Sequence, residues 1–523
     1  MASTKKELEQ GHRHLPKDDR PIGNKTDMQP SGITKSEPHS QRWREFQKEE
    51  QFSDWYSDII VKAELADLRY NVKGFLVHRP WSVMTMKKMY ELYERELELH
   101  GHRPVWFPAV IPEANLKKEA GHVEGFAPQV FWITRGGDKE LGEPLALRPT
   151  SETAMYEMYS LWIQSAKDLP LKLYQSCQVW RYEMETRPFL RGREFYWIES
   201  HNVFATREGA VAQVLEDMKM TENVIHMQFG LPFLFFKRPR WDTFPGADNT
   251  FAADTLMPDG KALQLPSTHL LGQNFAKPFN ITFTNAKGEK EYGWQTCYGP
   301  AIWRIFGALV GVHGDRKGLR IPFELAPVQV VIVPIAQEES AGAVVSKCEG
   351  VKARLLKAGM RVEVDRSDAT PGFKFNHWEM KGVPLRIEIG AREVKSGTVT
   401  ITTRHDRKRH EVNDAVLVKG ARQLGKEVSE TLREQADGFF SERVTDAKTL
   451  EEFGNVIQKG GFVRIPFCSI EMDGAQCADV IKDSFAASVR GTLFAKDEKP
   501  ETGASCISCG KEAQIVVYAA KRY

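Results

Sequence analysis

Three short segments place arginine and glutamate among aromatic residues, in a part of the chain that otherwise has the composition of a folded core. They are Arg148–Thr153, Val179–Glu183 and Arg191–His201. A buried charge is costly unless it is paired with another charge or with a charged ligand. Carboxylates and arginines together suit a ligand that carries both an ammonium group and acidic groups. An amino acid beside a nucleoside triphosphate meets that description.

The bulk properties exclude several classes of protein. A chain of 523 residues can form two to four domains, and 41% hydrophobic with 27% charged residues is ordinary for a soluble globular protein. The net charge of +2 confines any nucleic-acid surface to a local basic patch. Seven unevenly spaced cysteines do not resemble a disulfide framework. With no membrane-length apolar run and no apolar signal core, we expect a reduced, cytoplasmic protein without a membrane segment.

Residues 1–42 differ from the rest of the chain. They contain no Phe, Trp or Tyr, and four prolines lie among polar residues. Such a segment cannot bury enough apolar surface to order itself, so it is predicted to be a disordered polar tail. A basic arm that contacts nucleic acid is the alternative.

Order is expected from residue 43, where a first domain over 43–322 begins. The 3-4 spacing of apolar residues predicts a helix over Trp81–His100, and Pro104–Pro108 is expected to form a strand at a sheet edge. Strand-like segments within Leu171–Ile198 flank a loop rich in Arg and Pro, as in an antiparallel hairpin.

A second pattern alternates strands with helices and predicts an α/β domain over 328–430. A charged helix is expected from Val412 to about Val444, leading into a last unit, 431–523, that holds four of the cysteines. The apolar or β-branched strand candidates are Val328–Ile335, Arg361–Val364, Leu385–Ile389 and Thr398–Thr402.

The phosphate chemistry must depend on arginine, because the chain contains no Gly-x4-Gly-Lys-Ser/Thr loop. The planar guanidinium binds phosphate through two hydrogen bonds and stays charged. The alternative is a set of ion pairs along a strand face with Glu183, Glu194 and Glu199. The candidate phosphate ligands are Arg181, Arg191, Arg193 and Arg304.

From Phe52 to Tyr523 the chain resembles a family of class II aminoacyl-tRNA synthetases, the prolyl-tRNA synthetases of the archaeal and eukaryotic type. Trp81–Pro108 resembles motif 1, Arg181–His201 motif 2, and Gly307–Asp315 motif 3. The Pro-Thr-Ser-Glu-Thr loop and Phe373–Arg386 are more specific to the family. The resemblance implies an antiparallel-sheet catalytic domain, an α/β anticodon-binding domain and a C-terminal zinc-binding α+β domain.

The resemblance also implies a reaction and its residues. ATP with Mg²⁺ would activate L-proline to prolyl-adenylate, and the prolyl group would pass to tRNA(Pro) on a homodimer formed through motif 1. Arg181, Glu152 and Arg304 would be catalytic, and Thr150 could also cap a helix over Ser151–Ser165. The implied proline pocket comprises Phe126, Thr150, Glu152, Arg181, Trp197, Glu199, His201, His269, Cys297 and Gly299. The implied ATP site comprises Arg181, Glu183, Arg191, Phe195, Gln264, Ser267 and Arg304.

Two departures from the family pattern concern the pocket. Leu265-Pro-Ser-Thr-His269 replaces Gly-Gly-Thr-Ser-His, so a loop with a different backbone is expected there. Cys297 stands where the family has a serine. Because a small apolar pocket separates near-isosteres by only about 1–3 kcal/mol, mischarging with cysteine or alanine is a hypothesis. The segment 202–298 is too short to add a bacterial-type editing domain, so no editing in cis is expected.

Further sites are expected beyond the catalytic domain. By position in the motif, Glu379, Arg386 and Arg392 would contact the guanines of the proline anticodon, with surface ion pairs as the alternative. Four cysteines fit a structural tetrahedral Zn²⁺ site, although the wide first pair leaves four unligated thiols as an alternative. They are Cys468, Cys477, Cys506 and Cys509.

Two other functions remain open from the sequence. A threonyl- or glycyl-tRNA synthetase shares the three motifs, and a non-enzymatic paralogue could bind tRNA as a regulatory module. Such a module would be expected to lose the phosphate arginines. Arg181, Arg191 and Arg304 are all present, which favours an enzyme.

Overall fold

The computed structural model of the chain describes residues 48, 51–120, 130–494, 496 and 498–523. The polar tail predicted over 1–42 and the predicted pocket residue Phe126 both lie outside these ranges. Within them, no helix is both long enough and apolar enough to cross a lipid bilayer.

The first part of the chain builds an antiparallel sheet with helices around it. The strand order is β9-β10-β11-β14-β8-β7-β3, in which only β3 runs parallel to its neighbour. Its elements are α1 (Phe52–Lys62), β1 (Ala66–Asp67), β2 (Val77–His78), α2 (Pro80–Leu99), β3 (Arg103–Pro104), β4 (Val110–Pro112), α3 (Glu113–Ala120), β5 (Trp132–Gly136), β6 (Lys139–Leu147), α4 (Glu152–Trp162), β7 (Leu171–Trp180), β8 (Glu194–Phe204), α5 (Arg207–Thr221), β9 (Leu234–Lys237), β10 (Asn249–Leu256), β11 (Ala262–Gly272), β12 (Thr282–Thr284), β13 (Lys290–Tyr292), β14 (Trp294–Gly299) and α6 (Ile302–His313).

The predicted hairpin is confirmed as β7 and β8. The two strands pair without a break from Leu171 opposite Val203 to Trp180 opposite Glu194. Strand β8 is rich in aromatic and β-branched residues, which pack well on a half-buried pleated surface. The residues between them, 181–193, form the loop that carries most of the arginines of interest.

The strand expected over Pro104–Pro108 is wrong beyond Pro104. The Val105 amide still donates to the carbonyl of Tyr174 at 2.9 Å, but the Phe107 amide donates to the side chain of Gln175 at 3.0 Å. Proline supplies no amide hydrogen, so two prolines four residues apart leave too few donors for a regular ladder.

The middle of the chain forms the predicted α/β domain. Its mixed sheet has the order β16-β15-β17-β18-β19, with a parallel centre and two antiparallel strands. The helix expected from Val412 begins only at Leu417, because Arg409–Asn413 pairs with a neighbouring strand and Asn413 ends it by accepting from the Ala415 amide. The elements are β15 (Val330–Ile335), α7 (Ala341–Lys357), β16 (Val362–Val364), α8 (Pro371–Lys381), β17 (Leu385–Gly390), α9 (Ala391–Ser396), β18 (Thr398–Thr403), β19 (Arg409–Asn413) and α10 (Leu417–Ser441).

The last part of the chain extends the first sheet. Its strand β22 pairs with β9 at Thr492 and Leu493, so that eleven strands form one continuous sheet. Gly491 permits this pairing, because a Cβ there would lie 2.0 Å from the carbonyl oxygen of Lys237. The elements are β20 (Val444–Asp446), α11 (Leu450–Ile457), β21 (Phe462–Phe467), α12 (Ala475–Phe485), β22 (Ser488–Leu493) and β23 (Ile515–Ala520).

A buried ion cluster stabilises this junction. Asp254 accepts hydrogen bonds from Arg238 at 2.7 and 2.8 Å and from Nε of Arg490 at 2.8 Å. All three side chains are almost fully buried, so removing one partner would leave a charge without compensation. Arg490 belongs to the last part of the chain, whereas Arg238 and Asp254 belong to the first.

We predict that Asp217→Asn alters how stability depends on pH. Burial between α5 and β11 raises the pKa of Asp217 to about 7, although Thr268 and Gln213 donate hydrogen bonds to it. A carboxyl with a raised folded-state pKa loses stability as pH rises from its unfolded value near 4 to about 7. The melting temperature of the variant, relative to the wild type, should therefore increase from pH 5 to pH 8. An equal difference at both pH values would contradict this.

Candidate active site

The strands β8, β11 and β14, together with the start of α4 and the first turn of α6, surround a cavity of about 180 Å³. Most of the predicted site residues meet in it. The predicted residues that line the cavity are Thr150, Glu152, Arg181, Phe195, Trp197, Glu199, His201, Gln264, Ser267, His269, Cys297, Gly299 and Arg304.

Glu199 is the centre of a buried polar network at one end of the cavity. It accepts hydrogen bonds from the Ser151 amide at 3.1 Å, from the Ser151 hydroxyl, and from the Gln175 amide group at 2.8 Å. Nε2 of His201 lies 3.2 Å from its carboxylate. Burial alone would raise the pKa of Glu199, but these partners lower it to about 2. The carboxylate is therefore ionised and fixed in position.

Glu152 begins helix α4 and faces the same end of the cavity. The hydroxyl of Thr150 donates to its carboxylate, and Glu152 is only 2% exposed. The alternative, in which Thr150 caps a helix over Ser151–Ser165, is wrong. Ser151 occupies the cap position of α4, and its hydroxyl bonds to Glu199 instead of the helix backbone. Both hydroxyls are thus used to orient carboxylates.

The other end of the cavity is cationic. Arg181 donates to the carbonyl of Pro149 at 3.0 Å, and its guanidinium lies 5.4 Å from the ring centres of Phe195 and Trp197. Burial, followed by the charges of Arg181 and Arg191, lowers the pKa of Arg304 to about 10. Cations that destabilise one another in a cavity favour an anionic ligand between them.

Two predicted ATP ligands lie on the loop 181–193 outside the cavity lining. Nε of Arg191 forms an ion pair with Glu183 at 2.8 Å, which matches the strand-face alternative for this one arginine. Within the described ranges, Arg181 has no such carboxylate partner, so the alternative does not explain it. Arg193 stacks on Tyr182 with its guanidinium 4.1 Å from the ring centre.

The two departures from the family pattern both face the cavity. The segment Leu265–His269 lies within strand β11, so the loop expected there is wrong. Ser267, Thr268 and His269 pair with both β10 and β14, whereas the register with β10 is irregular at Leu265 and Pro266. His269 contacts the hydroxyls of Thr250 at 2.9 Å and Ser267 at 3.1 Å, and burial lowers its pKa to about 3. A neutral imidazole here shapes the wall without adding charge.

Cys297 lies on β14 directly opposite His201 on β8 and is 6% exposed. Burial first, and then the nearby carboxylates Glu152 and Glu199, raise the pKa of its thiol well above the ordinary value. The raised pKa favours the protonated thiol, which is a poor nucleophile.

Four residues of the lining were not predicted from the sequence. Leu265 and Tyr298 stand within segments that were singled out, so the alternation of the strands could have indicated them. Phe244 follows β9 in an irregular stretch and gave no local signal. The missed residues are Phe244, Leu265, Tyr298 and Ala301.

Sequence models of three known families match successive parts of the chain. The tRNA synthetase class II core domain (G, H, P, S and T) matches residues 131–313. The anticodon binding domain matches 329–424, and the C-terminal domain of prolyl-tRNA synthetase matches 450–523.

Relatives resemble the chain over nearly its whole length. A proline–tRNA ligase of Thermofilum pendens is 52% identical over 91% of this chain and 98% of its own, and one of Methanosarcina mazei is 42% identical over 91% and 97%. A solved structure, Giardia lamblia prolyl-tRNA synthetase in complex with prolyl-adenylate, has a TM-score of 0.86 at 36% identity, covering 91% of this chain and 99% of that one. The chain belongs to the proline–tRNA ligase family.

Membership of this family excludes the threonyl- and glycyl-tRNA synthetase alternatives. It also agrees with the fold, in which an antiparallel class II sheet precedes an α/β domain and a C-terminal unit.

The predicted anticodon residues of the chain lie on its α/β domain in two groups. Arg386 contacts Glu379 at 3.4 Å and Glu388 at 3.0 Å, and its guanidinium stacks 4.0 Å above the ring of Phe375. Arg392 lies apart on α9 and is largely exposed, with Glu393 at 3.0 Å. The ion-pair alternative therefore describes the present contacts: Arg386 and Glu379 are mostly buried, and only Arg392 faces solvent.

The four C-terminal cysteines come together despite their wide spacing. Their sulfur atoms lie within 4.8 Å of one another, and Cys468 and Cys477 are 3.6 Å apart. A Zn–S distance near 2.3 Å places tetrahedral sulfur ligands about 3.8 Å apart. Cys468 and Cys477 are separated by eight residues in the sequence. They approach each other because the chain turns between the end of β21, which Cys468 follows, and α12, which contains Cys477. Cys506 and Cys509 enclose a turn in which the Gly510 amide donates to the Cys506 carbonyl at 2.9 Å.

We predict that Glu199→Gln lowers the free energy of unfolding by about 2–4 kcal/mol, because His201, Ser151 and Gln175 lose a buried anionic acceptor. Chemical denaturation measures the change. The control is Glu183→Gln, whose ion-pair partner Arg191 is half exposed, so that the pair should contribute less than about 1 kcal/mol. Similar small losses in both variants would contradict the central role of Glu199.

Proposed function

We propose that the cavity activates L-proline with ATP to form prolyl-adenylate and then transfers the prolyl group to tRNA(Pro). The observation that carries this proposal is the polarity of the cavity. Carboxylates with their hydroxyl partners lie at one end, and arginines lie at the other. A zwitterionic amino acid beside a polyphosphate is the ligand that both ends would accept together.

At the anionic end, Glu152 receives the secondary ammonium of proline, oriented by the Thr150 hydroxyl. Glu199 and His201 fix the floor, while Trp197, His269 and Gly299 shape the walls around the ring. Gly299 suits this role because it leaves open the space beside Trp197. The amino acid is thus held with its carboxylate directed toward Arg181.

At the cationic end, Arg181 bridges the proline carboxylate and the α-phosphate, which brings nucleophile and electrophile together. Arg304 holds the far end of the triphosphate, and Phe195, Glu183, Arg191, Gln264 and Ser267 complete the nucleotide site. Mg²⁺ supplies additional positive charge on the phosphates when ATP binds. No protein side chain becomes covalently modified, so catalysis depends on positioning and electrostatic stabilisation.

We predict that Arg181→Met lowers proline-dependent ATP–pyrophosphate exchange by about 100-fold or more, because it removes charge stabilisation at the reacting phosphorus. The control is Arg207→Met, an exposed arginine at the start of α5, which should retain activity within about twofold. Equal melting temperatures would show that both variants are folded. Full exchange activity in Arg181→Met, or no exchange with any amino acid in the wild type, would reject the proposal; the second outcome would favour a tRNA-binding module.

Specificity follows from the pocket walls. Cys297 borders the proline site, and cysteine and alanine are small enough to enter it, so we propose measurable activation of both in the same exchange assay. Residues 202–298 form α5, strands β9–β14 and their connections, all within or against the catalytic sheet. This supports the absence of an editing domain in cis, and the misacylated products would depend on removal in trans.

We propose that the α/β domain binds the anticodon through Glu379, Arg386 and Arg392. We also propose that the protein acts in the cytoplasm. We also propose the division into a catalytic domain over 43–322, an anticodon-binding domain over 328–430 and a C-terminal domain over 431–523.

A homodimer is proposed through the region that resembles motif 1. Trp106 has 91% of its surface exposed, and Leu99 and Leu161 are also largely exposed. Exposed apolar side chains of this size in one region of a chain are typical of an association surface. We predict that Trp106→Asp shifts the protein from dimer to monomer in sedimentation velocity. The control is Met472→Asp, a change at an exposed residue of the last unit, and this variant should remain dimeric. If Trp106→Asp also remains dimeric, the proposal is contradicted.

The cysteine cluster is proposed to hold a structural Zn²⁺. We predict that elemental analysis finds one zinc fewer per chain in Cys506→Ser than in the wild type, and that chelation lowers the melting temperature, because the ion joins β21, α12 and the 506–509 turn. Cys348→Ala, a core cysteine of α7, should retain the metal. A metal-free wild type with unchanged stability would favour four unligated thiols.

A further inference from the structure

Three buried side chains of different chemistry converge at the anionic end of the cavity. Glu152 is the first residue of α4, His201 lies on β8, and Cys297 lies on β14. One ligand atom from each lies within 4.8 Å of the other two, and the residues are 2%, 1% and 6% exposed. The antiparallel register places His201 and Cys297 directly opposite each other, so this approach is built into the sheet.

The donor set selects a class of ion. A carboxylate, an imidazole and a thiol are ligands of Zn²⁺ and similar thiophilic cations, whereas Mg²⁺ and Ca²⁺ prefer oxygen. Tetrahedral zinc places such ligand atoms about 3.3–3.8 Å apart. The present separations, at most 4.8 Å, exceed this by no more than about 1.5 Å. A Glu152 carboxylate and a Cys297 thiolate would also balance the charge of a dication.

The imidazole is already oriented as in metal sites. Nδ1 of His201 lies 3.1 Å from the Tyr156 hydroxyl, and Nε2 lies 3.2 Å from the Glu199 carboxylate. Whichever nitrogen binds an ion, the other keeps a hydrogen-bond partner that fixes the ring. Glu199 is itself held by Ser151 and Gln175, so the supporting network extends beyond the ligands.

We propose that Glu152, His201 and Cys297 bind a thiophilic divalent cation, and that this cation excludes the amino acid from the pocket. Three protein ligands leave the fourth coordination position directed into the cavity. The ion would take the carboxylate that receives the proline ammonium, so inhibition should be competitive with proline and not with ATP. This second part depends on the proposed function, whereas binding of the ion does not.

The first experiment measures binding without activity. Co²⁺ is added to the full-length protein, and the thiolate-to-cobalt charge-transfer band is recorded for wild type, Cys297→Ser and Cys177→Ser. Cys177 donates to Glu199 at 3.4 Å but is not one of the three ligands, so it serves as a matched control. We expect the wild type and Cys177→Ser to show a charge-transfer band beyond any band from the C-terminal cysteine cluster. This band should be absent from Cys297→Ser. Identical spectra for all three proteins would overturn the site.

The second experiment measures competition. Zn²⁺ should raise the KM for proline in ATP–pyrophosphate exchange without changing the KM for ATP, and Cys297→Ser should require at least about tenfold more Zn²⁺ for the same inhibition. Inhibition that is equal in both proteins, or that is competitive with ATP, would overturn the exclusion of the amino acid. If exchange itself fails in the wild type, the proposed function fails, while the cobalt spectra still decide the metal site.

Discussion

The antiparallel pairing of β8 between β7 and β14 is the constraint on which the site depends. Because side chains alternate along a strand, Phe195, Trp197, Glu199 and His201 all lie on the cavity face of β8. A shift of register by one residue would turn all four away. The unbroken pairing with β7 and the pairing of His201 with Cys297 on β14 prevent such a shift, so the same backbone ladder fixes the aromatic, carboxylate and imidazole groups together.

Burial gives the two ends of the cavity their chemical character. At the anionic end, desolvation is opposed by hydrogen bonds from Ser151 and Gln175, so Glu199 remains ionised. At the cationic end, Arg181 and Arg304 lack that degree of internal compensation, and each is destabilised by desolvation. The protein thus accepts an electrostatic cost that a polyphosphate would relieve, which is how a preorganised site favours charge developing on its ligand.

The part of this arrangement that the sequence predicts is the part with a local signal. The hairpin and the residues of its second strand follow from alternation, and the α/β domain follows from alternating strands and helices. The role of Ser151 could not be predicted, because its partner Glu199 is distant in sequence. The pairing of β22 with β9 is likewise long-range, and so is the ion cluster of Arg490 with Asp254. Phe244 reaches the cavity from a segment without periodicity.

The most direct test of the central claim is a structure of the protein with a non-hydrolysable prolyl-adenylate analogue. We expect the guanidinium of Arg181 within hydrogen-bond distance of the acyl-phosphate group, and the pyrrolidine nitrogen on the carboxylate of Glu152. A ligand bound elsewhere, with Arg181 still held only by the Pro149 carbonyl and the two aromatic rings, would contradict it.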